Sequence, residues 1–91
     1  MNNQSGTAVT TFVKDKLTLS QMQKMVGGYI EVIKLPKSRR ELVVNDEGKL
    51  YGMLPNHTAT QLLQSEFGSM EVVQIVGDAL VLCGKAKMGG R

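Results

Sequence analysis

Tryptophan is absent, cysteine and histidine occur once each, and two tyrosines with two phenylalanines complete the aromatic set of this 91-residue chain. A lone Cys83 excludes an intramolecular disulfide framework and a thiol-rich zinc site. A lone His57 leaves one candidate base for that thiol, and a Cys83–His57 nucleophile would need the fold to bring the two together. Cys83 ends an apolar run, where cysteine behaves as a small buried hydrophobe, and His57 follows a helix-capping residue and is expected to be solvated in the first helical turn, so neither is expected to be catalytic. So few aromatics also leave no aromatic-basic interleaving of the kind found on single-strand nucleic-acid platforms. No run approaches the roughly 18 apolar residues of a membrane span. The opening MNNQSGTAVT lacks the charged-then-apolar order of a secretory signal, so the expectation is a soluble cytoplasmic protein without a membrane partner.

What is present fits one small domain. The mass is 9.9 kDa, 42% of residues are apolar and 21% charged, close to ordinary globular usage. The net charge of +3 is mildly basic, well short of a polybasic chain. A core of this size is marginal, and strand edges are expected to be open, which predicts a homodimer.

The pattern predicts an α+β fold: a mostly antiparallel sheet with two short helices. Residues 1–6 read as a flexible N-terminus, 7–84 as one α+β domain, and 85–91 as a flexible basic tail. Thr7 to Val13 reads as a strand. Thr18 and Gln21 form a capping-box pair, Leu17 and Met22 a hydrophobic staple, and Leu19, Met22, Met25 and Val26 follow at helical spacing before Gly27. Tyr29–Leu35 and Glu41–Asn45 read as strands joined by the five-residue loop PKSRR. Paired across that loop, Glu31 falls roughly opposite Asn45 and Ile33 opposite Val43, with Ile30 and Val32 sharing a face with Leu42 and Val44; a one-residue slip would exchange the faces. Asn45-Asp46-Glu47-Gly48 is turn chemistry and predicts a second hairpin into Lys49-Leu50-Tyr51. Asn56 then caps a helix with Ala59, Leu62, Leu63 and Phe67 on one face and Gly68 at its end. Val72–Val76 and Ala79–Cys83 read as a hairpin across Gly77-Asp78.

The chemistry-bearing residues are scattered. Glu31, Glu41, Asp46, Glu47, Glu66, Glu71 and Asp78 could supply a general acid and base, yet most fall at strand ends and turns, where charge keeps an edge soluble. Glu31 stands apart, inside an apolar strand, with Asn45 and Tyr29 as expected neighbours. Gly27-Gly28 closes a helix and lacks the Lys and Ser/Thr of a phosphate loop. Asn56-His57-Thr58 matches a glycosylation sequon that means little without a secretory signal. Lys37, Arg39 and Arg40 at one loop tip, with Lys85, Lys87 and Arg91 in the tail, could contact phosphate, although such clusters are ordinarily solvated faces.

The ordered set Gly27-Gly28-Tyr29-Ile30-Glu31, Asn45 to Gly48, Pro55-Asn56 and Gly77-Asp78 resembles the domain-of-unknown-function family numbered 3846, over about Leu19 to Leu82. The resemblance carries no activity to transfer. It implies an accessory role in a phage or virus, hence in a host cell, with small non-enzymatic domains that bind a host macromolecule or sequester a small ligand. The expectation is therefore a binding module, not an enzyme, without cofactor or metal, acting on a host protein or an anionic small molecule such as a nucleotide. Arg39 and Arg40 would neutralise the anion, Glu31, Asn45 and Asn56 would supply hydrogen bonds, and Tyr29 a stacking face. Nucleic-acid binding through the Lys37/Arg39/Arg40 loop and the tail is the alternative, and a carboxylate-based hydrolase or transferase a third reading.

Overall fold

A computed structural model describes residues 8–68 and 74–87. Its elements, in chain order, are β1 (Thr10–Val13), α1 (Leu19–Val26), β2 (Ile30–Leu35), β3 (Arg40–Asn45), α2 (His57–Phe67), β4 (Ala79–Leu82) and a single 3₁₀ turn, Gly84–Ala86. The four strands form one sheet in the order β1-β4-β3-β2. β1 lies parallel to β4, and the other two pairings are antiparallel. The architecture is α+β with a mostly antiparallel sheet, as the pattern predicts.

One helix covers each face. α1 starts where Thr18 Oγ1 accepts from Gln21 N (3.1 Å) and Gln21 Oε1 accepts from Thr18 N (2.8 Å), the reciprocal capping box. It ends at Gly27, whose φ of 85° is the left-handed conformation a glycine takes without strain. Met22 and Val26, one turn apart, bury against Val13, Val43, Leu80 and Leu82, with Leu17 packed alongside. α2 is capped by Asn56 and buries Ala59 and Leu63 against Leu35, Leu42, Val44, Ala79 and Val81 on the opposite face. Phe67, expected on that face, is instead exposed; its predecessor Glu66 turns inward. Strands β3 and β4 lie between both layers, so Leu42, Val43, Leu80, Val81 and Leu82 are almost wholly buried.

Four expectations are corrected. The β2–β3 loop has four residues, 36–39, since Arg39 takes a left-handed φ of 59° that closes the turn early and returns Arg40 to β3. Register shifts by one: Ile30 pairs with Asn45, Glu31 with Val44 and Ile33 with Leu42. Leu42 and Val44 therefore share a face with Glu31 and Ile33, toward α2, and not with Ile30 and Val32. Secondly, Lys49-Leu50-Tyr51 is no strand, because residues 46–52 are consecutive turns. Thirdly, no hairpin joins 74–76 to β4: both flanks of β4 are taken by β1 and β3, and Val76 bridges Pro55 instead, while Asn56 N donates to Ile75 O at 2.8 Å. Val72 and Val73, in the first strand of that expected hairpin, lie outside the described residues. Finally, the tail does not begin at residue 85. Ala86 is buried in the α1-side core, and Lys85 pairs with Asp15 at 3.7 Å. Residues 1–6 and 88–91 of the two expected flexible ends lie outside the described residues.

Candidate functional site: two clefts at the end of β3

Asn45, the last residue of β3, is buried and organises one end of the sheet. Its Nδ2 donates to Val26 O (3.1 Å), which ties down the C-terminus of α1, and its Oδ1 accepts from Glu47 N (2.7 Å) as an Asx turn. Asp46 N donates to Tyr29 O (2.8 Å), extending the β2–β3 ladder one step before the chain departs. From there Leu50 N donates to Glu47 O, Tyr51 N to Gly48 O and Gly52 N to Lys49 O, a tight coil of successive turns. Gly48 is required within it, since a Cβ there would stand 2.9 Å from Val76 Cγ2. Gly28 is similarly constrained, because its Cβ would lie 3.0 Å from Asn45 Nδ2.

This coil creates two clefts that share Asn45 and Glu47. The first, about 250 Å³, has Val44, Ile75 and Val76 among its apolar lining and Glu31, Asp46, Glu47 and Lys49 as its charges. The second, about 230 Å³, lies between Gln23, Gly27 and Gly28 of the α1 terminus on one side and Tyr29, Glu47 and Tyr51 on the other. Tyr51 donates its hydroxyl to Glu47 Oε1 at 3.1 Å. That bond to a carboxylate, with the charge of Glu47 itself, holds the Tyr51 phenol above its ordinary pKa, and Tyr29 nearby acts in the same direction.

The opposite end of the sheet is built differently. Glu66 of α2 reaches the β2–β3 loop and accepts from Lys37 N (2.7 Å) and Ser38 N (3.1 Å), one backbone N–H for each carboxylate oxygen. The Ser38 side chain beside it, those two N–H groups and the Arg40 guanidinium hold the Glu66 carboxyl below its ordinary range, against the opposing effect of burial. The backbone donors of Lys37 and Ser38 are thus already occupied by an internal anion. Arg40 lies over the Phe12 ring at 5.6 Å, and its Nε is buried without a hydrogen bond among the described residues. Lys37 and Arg39 point to solvent as exposed residues.

The six residues expected to share a site therefore divide. Tyr29, Glu31 and Asn45 lie at the cleft end, though Glu31 and Tyr29 line different clefts. Arg39 and Arg40 lie at the other end of the β2–β3 hairpin, roughly 13–20 Å away at about 3.3 Å per residue. Asn56 belongs to neither. It is wholly buried; Oδ1 accepts from Ala59 N (3.0 Å) and Thr10 Oγ1 (2.8 Å), while Nδ2 donates to Gly77 O (3.0 Å) and Val9 O (3.3 Å). Tyr51 and Glu47 line the clefts and were not among the six expected site residues. The Asn-Asp-Glu-Gly turn was their signal, with Tyr51 four residues beyond Glu47, but a strand reading of 49–51 hid it.

Glu31, Asp46 and Glu47 line the first cleft together, and the other acid, base and thiol candidates are spread through the scaffold. His57 is exposed in the first turn of α2, and Cys83 is half-buried with Sγ 3.8 Å from Val81 O. Asp78 Oδ1 accepts from Val9 N (2.9 Å), Glu41 is buried on β3 opposite Lys34, and Glu71 lies outside the described residues. No group of three His, Cys, Asp or Glu side chains suited to a metal ion occurs among the described residues. No helix there is long and apolar enough to cross a membrane.

A four-stranded α+β sheet carrying a helix on each face, with paired clefts at one end, is thus the class that fold and site define. The chain belongs to the family described as Domain of unknown function (DUF3846), whose model matches residues 3–91. The match extends beyond the Leu19 to Leu82 span of the resemblance, taking in β1 and the C-terminal residues that the resemblance left outside. No curated protein and no solved structure matches the chain.

Proposed function

We propose that this protein is a non-catalytic binding module that engages a partner protein through the cleft end of its sheet. The observation that carries the reading is the pair of clefts around Glu47, flanked by Tyr29 and Tyr51, both strongly exposed. Exposed tyrosines beside preformed concavities supply large contact area at low entropic cost. Each cleft falls below the roughly 300 Å³ at which drug-sized ligand pockets begin, so a side chain of a partner fits better than a whole nucleotide. Among the described residues Lys49 is the single cation lining either cleft, which speaks against capture of an anionic small molecule there. A host protein as the partner of a phage or viral accessory domain, and homodimerisation through the edge strands β1 and β2, belong to the same proposal.

Native mass spectrometry of the protein purified from its own cells tests this. The expected spectrum contains a protein–protein complex that a Tyr29→Ala/Tyr51→Ala variant does not form, and it also gives the subunit count. A stoichiometric anionic compound on the bare chain would overturn the reading. Nucleic-acid binding is the second reading, supported by the exposure of Lys37 and Arg39 at the loop tip. It requires log affinity to fall by about 0.7–0.9 per phosphate contact with log salt.

A further inference from the structure

We infer that the cleft between Tyr29 and Tyr51 receives an arginine side chain presented by the partner polypeptide, an assignment that rests on the binding-module reading and names its occupant. Three independent features converge on a planar cation. The two tyrosines, 70% and 66% exposed, line one concavity, and aromatic faces attract a guanidinium through their quadrupoles. Glu47 stands between the clefts with its backbone pinned by Asn45 and one carboxylate oxygen holding the Tyr51 hydroxyl, so a charge partner is already oriented there. The third is the end of α1: Gln23, Gly27 and Gly28 form the other wall, and the negative pole of a helix C-terminus favours a cation.

Competing occupants fit less well. Among the described residues no Lys or Arg lines this cleft, so a phosphate or carboxylate would face Glu47 and the helix terminus unneutralised. The neighbouring cleft adds Glu31 and Asp46 against Lys49 alone, which extends the negative field although the chain as a whole carries +3. Lysine shares the charge but is a strongly hydrated point cation, whereas arginine is planar, weakly hydrated and able to stack while donating to a carboxylate. The volume of about 230 Å³ suits one such side chain.

The test is an amide-resolved NMR titration of the intact chain with N-acetyl-arginine amide, using N-acetyl-lysine amide and AMP as comparison probes. The arginine derivative should move the Gly28, Tyr29, Glu47 and Tyr51 resonances saturably, the lysine derivative should bind more weakly, and AMP should leave these signals in place. Tyr29→Ala, Tyr51→Leu and Glu47→Gln should each weaken the arginine response by about three- to fivefold, the size of one exposed cation–π or ion-pair contact. The same spectra report whether each variant is folded. Movement by AMP, or an arginine response confined to other residues, would overturn the assignment. A dilution-dependent spectrum abolished by Arg39→Ala would support the assignment and make the partner polypeptide a second copy of this chain. If the arginine probe fails while Tyr29→Ala/Tyr51→Ala still loses the native complex, the occupant is wrong and the binding module stands; if both fail, both are wrong.

Discussion

Asn56 shows how one buried amide can join three parts of a small fold. Its oxygen caps α2 and accepts from Thr10 of β1, while its nitrogen donates to Gly77 O and Val9 O from a site without solvent exposure. Removing the amide deletes an N-cap, about 1 kcal/mol, and strands buried polar groups at about 1–3 kcal/mol each. Asn56→Ala is accordingly expected to lose at least about 2 kcal/mol in a denaturant titration, with Asn56→Asp intermediate because it keeps the cap and loses both donors. Wild-type stability in Asn56→Ala would show that these contacts do not hold the fold. The cap was legible from Asn56 followed by an apolar helical stripe, but the donors' targets were not, since Val9 and Gly77 are distant in sequence. Asn45 was legible as a turn former, but the donation of its Nδ2 to Val26 O, nineteen residues away in sequence, was not.

Among the elements, the β2–β3 hairpin depends on α2. Glu66 closes the loop through Lys37 N and Ser38 N, and its carboxyl is held below the ordinary value of 4.5. A carboxyl with a depressed folded-state pKa contributes stability that is complete above its unfolded pKa and is lost as pH falls through the folded one. The expected outcome is that Glu66→Gln is less stable than wild type at neutral pH and has a flatter acid limb, the two converging at low pH in thermal melts. Parallel curves would detach Glu66 from the loop. Capping boxes, Asn caps and glycine stops were all readable because they are local; the register was not. It turned on whether Arg40 belongs to the loop or the strand, and that is decided by Arg39 adopting a left-handed φ and by Arg40 packing over Phe12. The Asx turn that starts the 46–52 coil is local, from Asn45 to Glu47, and was readable; its continuation was not, because Val76, which leaves no room for a Cβ on Gly48, is distant in sequence.

As a whole, the molecule has a sheet that separates two chemically distinct ends. At one, a carboxylate-rich pair of clefts carries Tyr29 and Tyr51. At the other, the backbone donors of Lys37 and Ser38 are satisfied by Glu66, and Lys37 and Arg39 remain exposed. Composition alone gave +3 and drew attention to the basic loop; the opposing acidic end appears only once Glu31, Asp46 and Glu47 are gathered by the fold. The most direct measurement is the affinity of the partner recovered in the native complex for two double variants side by side, Tyr29→Ala/Tyr51→Ala and Lys37→Ala/Arg39→Ala, by calorimetry. The account predicts about five- to thirtyfold weaker binding for the tyrosine pair, from two exposed aromatic contacts of about 0.5–1 kcal/mol each, and near wild-type affinity for the loop pair. The reverse ranking would contradict it and place the contact surface at the basic loop.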